Sequence, residues 1–180
     1  MKLKEIHTIS KRVKLFESTD AKLEAYATKH NLGELSWEGS GDMGEAYITD
    51  KNTILKITSD DTEISYAKMV QGKNLDNVVT IYDVDGPIIH MEYLDTDHIE
   101  DLYASAMGYS EYGSFDDIDI DDHEDIPDDV KEFIIGVQDG MMQLQHKGVN
   151  NLDLKGDNIG RKNNGEYAIF DMSSAKENHG

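Results

Sequence analysis

The chain of 180 residues has no cysteine, two prolines and one tryptophan. Without cysteine there is no disulfide, no thiolate nucleophile and no Cys-ligated zinc, and a cytoplasmic setting is the expectation. Long apolar runs are missing too. None approaches the ~18 residues that a membrane helix needs, so no membrane association is expected. The opening MKLKEIHTISKRVKLF is basic but lacks the apolar stretch and small-residue cleavage site of a secretory signal. Positive charge is scarce, with 17 Lys+Arg against 37 Asp+Glu and a formal net charge of −20. Such a surface repels a phosphate backbone, so nucleic acid is not an expected partner. No G-x-x-x-x-G-K-[ST] run occurs, which excludes the phosphate loop of P-loop enzymes. What is present suffices for a core: 38% of residues are hydrophobic, with nine Tyr and four Phe as anchors.

The charge is unevenly placed. Residues 1–16 carry five Lys/Arg and one Glu, whereas residues 95–132 carry 15 acidic residues and one Lys. The densest part runs from Phe115 to Asp125. A block of like charge reads first as a solvated, partly disordered loop or insertion. A calcium loop counted from Asp117 would have Asp122 in place of the turn glycine and Asp128 in place of the bidentate Glu, so it does not fit. A face that binds a basic partner, or mimics DNA, stays open beside the bland reading.

Ser18-Thr19-Asp20 before Ala21–His30, with Gly33 behind, predicts a capped helix. Short strands are predicted over Leu35–Glu38, Glu45–Thr49 and Thr53–Thr58, followed by a helix over Glu63–Gln71 with capping residues in Ser59–Thr62. Two more strands, Val78–Val84 and Pro87–Leu94, flank an Asp85-Gly86 turn. After the acidic block, Pro127 opens a long helix in which Val130, Phe133, Ile134, Val137, Met141 and Leu144 recur at helical spacing. Phe133, Ile134, Val137 and Leu144 are the expected centre of the second half's core. A loop over 150–157 then leads to a hairpin of Asn158–Arg161 and Tyr167–Phe170.

Three motifs carry chemistry. Gly39-Ser40-Gly41-Asp42-Met43-Gly44 is a G-x-G-x-x-G, whose glycines let backbone amides approach phosphate oxygens. A dinucleotide fold would follow it with a helix, but here a strand follows, so the glycines sit in a β-turn-β hairpin. Lys56 stands alone inside the apolar strand Ile54-Leu55-Lys56-Ile57. An outward lysine on an edge strand explains it equally well from this fragment. A functional lysine needs an anion, and Glu63, seven residues on, is the first candidate beside Asp60 and Asp61. The third motif is the strongest. Asp153, Lys155 and Asn158 lie in one loop, and Asp171 follows 13 residues after Asn158, past a hairpin. Asp and Asn so arranged place hard oxygen donors, suited to Mg²⁺, beside a candidate base.

This order of motifs resembles the protein-kinase-like family over roughly residues 35–175. The resemblance implies an α+β, minimal two-lobed protein-kinase-like fold: a small antiparallel sheet plus helix as N-lobe, and a reduced helical C-lobe. It divides the chain into a basic, helical extension (1–32), an N-lobe (33–94) and a C-lobe (95–180) with an acidic insertion over 95–129. It implies ATP and Mg²⁺ as ligands and phosphoryl transfer to a hydroxyl, with Ser/Thr of a protein as acceptor. By position, Asp153 would accept the substrate's hydroxyl proton and Lys155 would neutralise the γ-phosphate. Asn158 and Asp171 would hold the metal. Lys56 would contact the α/β-phosphates, oriented by Glu63, beneath Gly39, Ser40, Gly41 and Gly44. Backbone groups of Glu92 and Leu94 would take the adenine, with Met91 at the mouth of the back pocket and Asp95 as a ribose contact.

The chain also departs from the family pattern. Asn151 and Leu152 stand where the family has His and Arg, and Met172-Ser173 replaces Phe-Gly. Lys56 lies only 12 residues past Gly44, so the first lobe is compressed. Only nine residues follow Asp171, leaving no expected activation segment or peptide-binding subdomain. A compact phage- or bacterial-type kinase is the nearest shape, with an acidic surface that would favour basic protein substrates. A nucleotide-binding pseudokinase and an acidic decoy for a basic partner remain alternatives.

Overall fold

The structure is a computed structural model that describes residues 21–41, 43–150, 152 and 154–172. Its plan follows from the strand Thr53–Thr58 (β3). There Leu55 and Ile57 point to one face of a sheet, while Ile54 and Lys56 point to the other, as the two-residue strand period requires. Five strands pair antiparallel around it: β1 (Leu35–Ser40), β2 (Gly44–Thr49), β3, β4 (Ile81–Asp85) and β5 (Ile88–Glu92), in the spatial order β1-β2-β3-β5-β4. The β3–β5 register sets Leu55 opposite His90 and Lys56 opposite Ile89, so the two faces stay distinct.

Each face has its own cover. A helix over 21–30 (α1) lays Leu23, Tyr26 and Ala27 on Leu55, Ile57 and Ile88, and Leu32 closes the cluster. The expected capping residues Ser18–Asp20 lie outside the described residues, but 21–32 proves to be part of the first lobe rather than an appendage. On the other face, α2 (Asp61–Val70) buries Ala67 and Val70 against Ile89 and Met91. Asp60 caps α2, accepting from the Thr62 amide at 2.8 Å and the Glu63 amide at 3.4 Å.

The second lobe is built on α4 (Asp128–Gln145). Phe133, Ile134, Val137 and Leu144 are fully buried, as their spacing predicts. Phe133 meets the rings of Phe115 at 5.8 Å and Tyr167 at 5.1 Å. The hairpin of β6 (Ile159–Arg161) and β7 (Tyr167–Ile169) packs beside it.

The acidic block is more ordered than a solvated insertion. It contains a helix that the charge pattern hides, α3 (Ile99–Met107), and two 3-10 turns, Phe115–Asp117 and Ile120–Asp122. Phe115, Ile118 and Ile126 are buried in the α4 core, while Asp116, Asp119, Asp121, Asp122, Glu124 and Asp125 are exposed and Asp117 is half-buried, accepting from the Tyr112 amide at 2.7 Å. Apolar residues spaced among acids carry the packing, and the charge is only its solvent side. The molecule is thus a small two-lobed α+β fold.

Backbone contacts at two places help to join the lobes. Residues 77–79 reach into the second lobe, where Val78 forms a parallel bridge to Ile169 and Asn77 donates its side-chain amide to Tyr167 O at 2.9 Å. The chain leaving β5 is held by Asp95, which exchanges backbone hydrogen bonds with Arg161 at 2.9 and 2.7 Å. A side chain at Gly160 would place its Cβ 2.6 Å from Leu94 Cβ, so glycine is what lets this connection lie against β6. Among the described residues, no helix is long and apolar enough to cross a membrane.

Candidate functional site

The cleft between the lobes has a volume of about 1180 Å³ and is lined by the glycine turn, Lys56, Glu63, the β5 exit, Lys155, Asn158 and Asp171. That is at the large end for a small-molecule site. The sequence motifs, spread along the chain from Gly39 to Asp171, therefore meet at one opening.

Lys56 is its centre. The β3 alternation turns this side chain toward the cleft, where Nζ lies 2.5 Å from Glu63 Oε1 and 2.9 Å from Asp171 Oδ2. Glu63 is in the first turn of α2, so the cap at Asp60 also fixes the carboxylate that faces Lys56. Of the three acids that the sequence offered Lys56, the fold selects Glu63 and adds Asp171 from the other lobe. The pair is secluded, with the Lys56 and Glu63 side chains 17% and 4% exposed. Burial opposes the charge on Lys56, but Glu63 and Asp171 together outweigh it and hold the ammonium above the ordinary lysine range. Burial pushes the Glu63 carboxyl up, reinforced by Asp171 and countered by Lys56. Two carboxylates share one ammonium, a costly arrangement for stability alone. Such a buried, perturbed group in a cleft makes this a candidate functional site.

The glycine turn joins β1 to β2 and is closed by a hydrogen bond from Gly41 N to Gly44 O at 2.9 Å. Its glycines differ in their reasons. Gly44 abuts the Ile57 carbonyl, leaving no room for a side chain. A Cβ at Gly39 or Gly41 would meet nothing within 4 Å, so the protein's own packing does not demand glycine there. Both face the open cleft together with Ser40.

At the β5 exit, Met91 is buried and Glu92 is anchored from behind. Its carboxylate accepts from Thr80 Oγ1 at 2.8 Å, and Lys162 Nζ lies 4.0 Å away. The Glu92 amide donates to Thr80 O at 2.9 Å, so it is not available to a ligand as the resemblance would allow for that residue's backbone in general. The Leu94 amide has no backbone acceptor among the described residues. Asp95 is occupied locally, its carboxylate accepting from the Asp97 amide at 2.9 Å.

Asn158 closes the 3-10 turn Gly156–Asn158 and is buried. Its carbonyl accepts from Phe170 N at 3.0 Å, and the β6–β7 register then brings Asn158 and Asp171 to the same open end of the hairpin. An amide and a carboxylate oxygen are the donor types that Mg²⁺ takes when phosphates complete its shell. Among the described residues, no group of three or more His, Asp or Glu is arranged to hold a metal by itself. Lys155 is exposed at the cleft rim. Asp153, with Asn151, lies outside the described residues.

The sequence reading did not place Asp60 or Asp157 in the site, and both line the cleft. Asp157 adjoins Asn158 and was legible as a neighbour. Asp60 had been weighed as a helix cap and as a partner for Lys56, not as part of the cleft lining. A separate concavity of about 440 Å³ lies over Asp116, Asp117, Asp119 and Asp121, beside Gln138, whose amide donates to Phe115 O and Ile118 O. No family model matches the chain, and no curated protein matches it in sequence.

Proposed function

We propose that the chain is a protein-kinase-like phosphotransferase that moves the γ-phosphoryl group of ATP to a hydroxyl, with Ser or Thr of a protein as acceptor. The observation that carries this reading is the Lys56 ammonium held between Glu63 and Asp171 at the back of a cleft roofed by glycines. Lys56 supplies a fixed positive charge for the α/β-phosphates, and Glu63 keeps its stem extended into the cleft. Gly39, Ser40 and Gly41 leave room for the phosphates to approach the backbone, which explains glycines that packing does not require. The adenine would lie along the β5 exit, bonding the Leu94 amide and the Glu92 carbonyl.

In the transfer step, the acceptor oxygen bonds to the γ-phosphorus as the bond to the β,γ-bridging oxygen breaks and ADP leaves. The hydroxyl proton passes to the Asp153 carboxylate, and Lys155 neutralises charge on the γ-phosphoryl oxygens. Asn158 and Asp171 would hold Mg²⁺, which when bound supplies charge neutralisation between the β- and γ-phosphates. Catalysis on this plan is positioning and electrostatics.

The acidity of the cleft sharpens the test. Asp60, Glu63, Asp157 and Asp171 line it against Lys56 and Lys155, so ATP without a divalent cation meets net repulsion. Titration of ATP with Mg²⁺ and with EDTA, into wild type and Lys56→Met, should give binding only with Mg²⁺ and a weakening of roughly tenfold or more in the variant. Equal binding in all four arms, or none in any, would overturn the proposal.

A further inference from the structure

Asp83 lies in β4, at the edge of the sheet, and its one carboxylate meets both covering helices. Tyr26 of α1 donates its hydroxyl to Oδ2 at 2.8 Å. Gln71, which closes α2, donates its side-chain amide to Oδ1 at 3.1 Å. His30, one turn after Tyr26, places Nε2 4.0 Å from Oδ2 and stacks on the Tyr26 ring at 4.2 Å. Below them His90, opposite Asp83 in the ladder, meets Tyr26 edge-on and hydrogen-bonds Thr53 at 2.9 Å. The Tyr26 hydrogen bond holds the Asp83 carboxyl below the usual range, so it stays an acceptor.

The tie matters because of what α2 carries. This helix has ten residues, about 15 Å, and its fully buried apolar side chains are only Ala67 and Val70. Its first turn presents Glu63 to Lys56, and its C-cap, Gln71, is fastened to Asp83. A short rod gripped by two small apolar side chains is sensitive to how its ends are fixed. One end is the Asp60 cap; the other is a carboxylate shared with α1.

We propose that Asp83 is a positioning residue that couples the docking of α1 to the placement of α2, and through α2 to the Lys56–Glu63 pair. Helix α1 is then a built-in control element of the cleft. Whatever lifts Tyr26 from Asp83 loosens Glu63 at the far end of α2. The consequence for phosphoryl transfer rests on the function proposed above; the coupling between α1 and Lys56 does not.

The test uses the full chain and Tyr26→Phe, which keeps the buried ring and removes only the hydroxyl, together with Asp83→Ala and Gln71→Ala. Acylation of Lys56 by an N-hydroxysuccinimide ester, followed by peptide mass spectrometry, reads how firmly the ion pair is closed. Hydrogen exchange of the α2 amides reads the helix. Tyr26→Phe should raise Lys56 acylation and α2 exchange roughly fivefold, the factor that one ordinary hydrogen bond represents. Asp83→Ala should raise both further. Val130→Ala, in the separate α4 core, should lower the melting temperature without changing Lys56 acylation. Wild-type acylation in Tyr26→Phe and Asp83→Ala, or an equal rise in Val130→Ala, would overturn the coupling. Absence of ATP binding in wild type with the acylation pattern intact would sink the phosphotransferase reading and leave the coupling standing.

Discussion

Replacing Lys56 by Met should destabilise the protein in a way that depends on pH, and the size of the effect follows from the site. Methionine keeps the bulk of the stem but leaves Glu63, 3% exposed, beside Asp171 with no cation. Breaking a buried ion pair from one side costs about 3–5 kcal/mol. Glu63 has an escape, because it can bind a proton. Starting from an unfolded value of 4.5, neutralising the carboxyl costs about 3.4 kcal/mol at pH 7 and about 0.7 kcal/mol at pH 5. A carboxyl whose folded value is raised stabilises the fold fully below its unfolded value and loses that contribution as pH climbs through the folded one. The penalty therefore grows with pH. Thermal unfolding of Lys56→Met against wild type should show a loss of roughly 6–14 °C at pH 7 and at most roughly 3 °C at pH 5. In Lys56→Met/Glu63→Gln the pH dependence of the difference should largely vanish. An equal loss at both pH values, or a loss under about 1 kcal/mol at pH 7, would refute the idea that Glu63 is buried and depends on Lys56.

Other expectations follow from packing and charge. Phe133→Ala removes a fully buried ring wedged between Phe115 and Tyr167 and should cost about 3–5 kcal/mol in urea unfolding. Gly160→Ala forces a methyl against Leu94 and should cost about 1–3 kcal/mol, whereas Gly41→Ala should leave stability unchanged and weaken Mg·ATP binding; the reverse order would contradict the roles given to these glycines. Phosphorylation of a basic protein substrate should slow as salt rises, if the acidic surface recruits it, and an unchanged rate between low and high salt would count against that steering.

Much of this arrangement is legible in the sequence because short-range rules were enough. The stripe from Val130 to Leu144 points to one face, which is buried as the spacing demands, and Lys56 stood out as a lone charge in an apolar strand, although the sequence left its facing open. The glycine turn, Lys56, Glu63, Lys155, Asn158 and Asp171 do line one cleft. What escaped was non-local or masked by composition. Helix α3 and the burial of Phe115 and Ile118 were hidden because the stretch from 95 to 132 was read by its net charge, which masks the apolar residues that pack. The Asp171 contribution to the Lys56 pair, 115 residues away in sequence, has no local signal. Nor does the shared carboxylate of Asp83, whose partners come from α1 and from the end of α2. The loss of the Glu92 amide to Thr80 was implicit in the expected pairing of Val78–Val84 with Pro87–Leu94, but that pairing was not followed through to the amide.

The central claim is that the cleft transfers phosphate. Its most direct measurement is incorporation of label from γ-labelled ATP with Mg²⁺ into the protein or a cell lysate, with wild type, Asp153→Ala and Asp171→Ala run side by side. The account predicts label with wild type and its loss in both variants while they remain folded by circular dichroism. Absence of label in all three, with no rise in wild-type melting temperature on adding Mg·ATP, would contradict it.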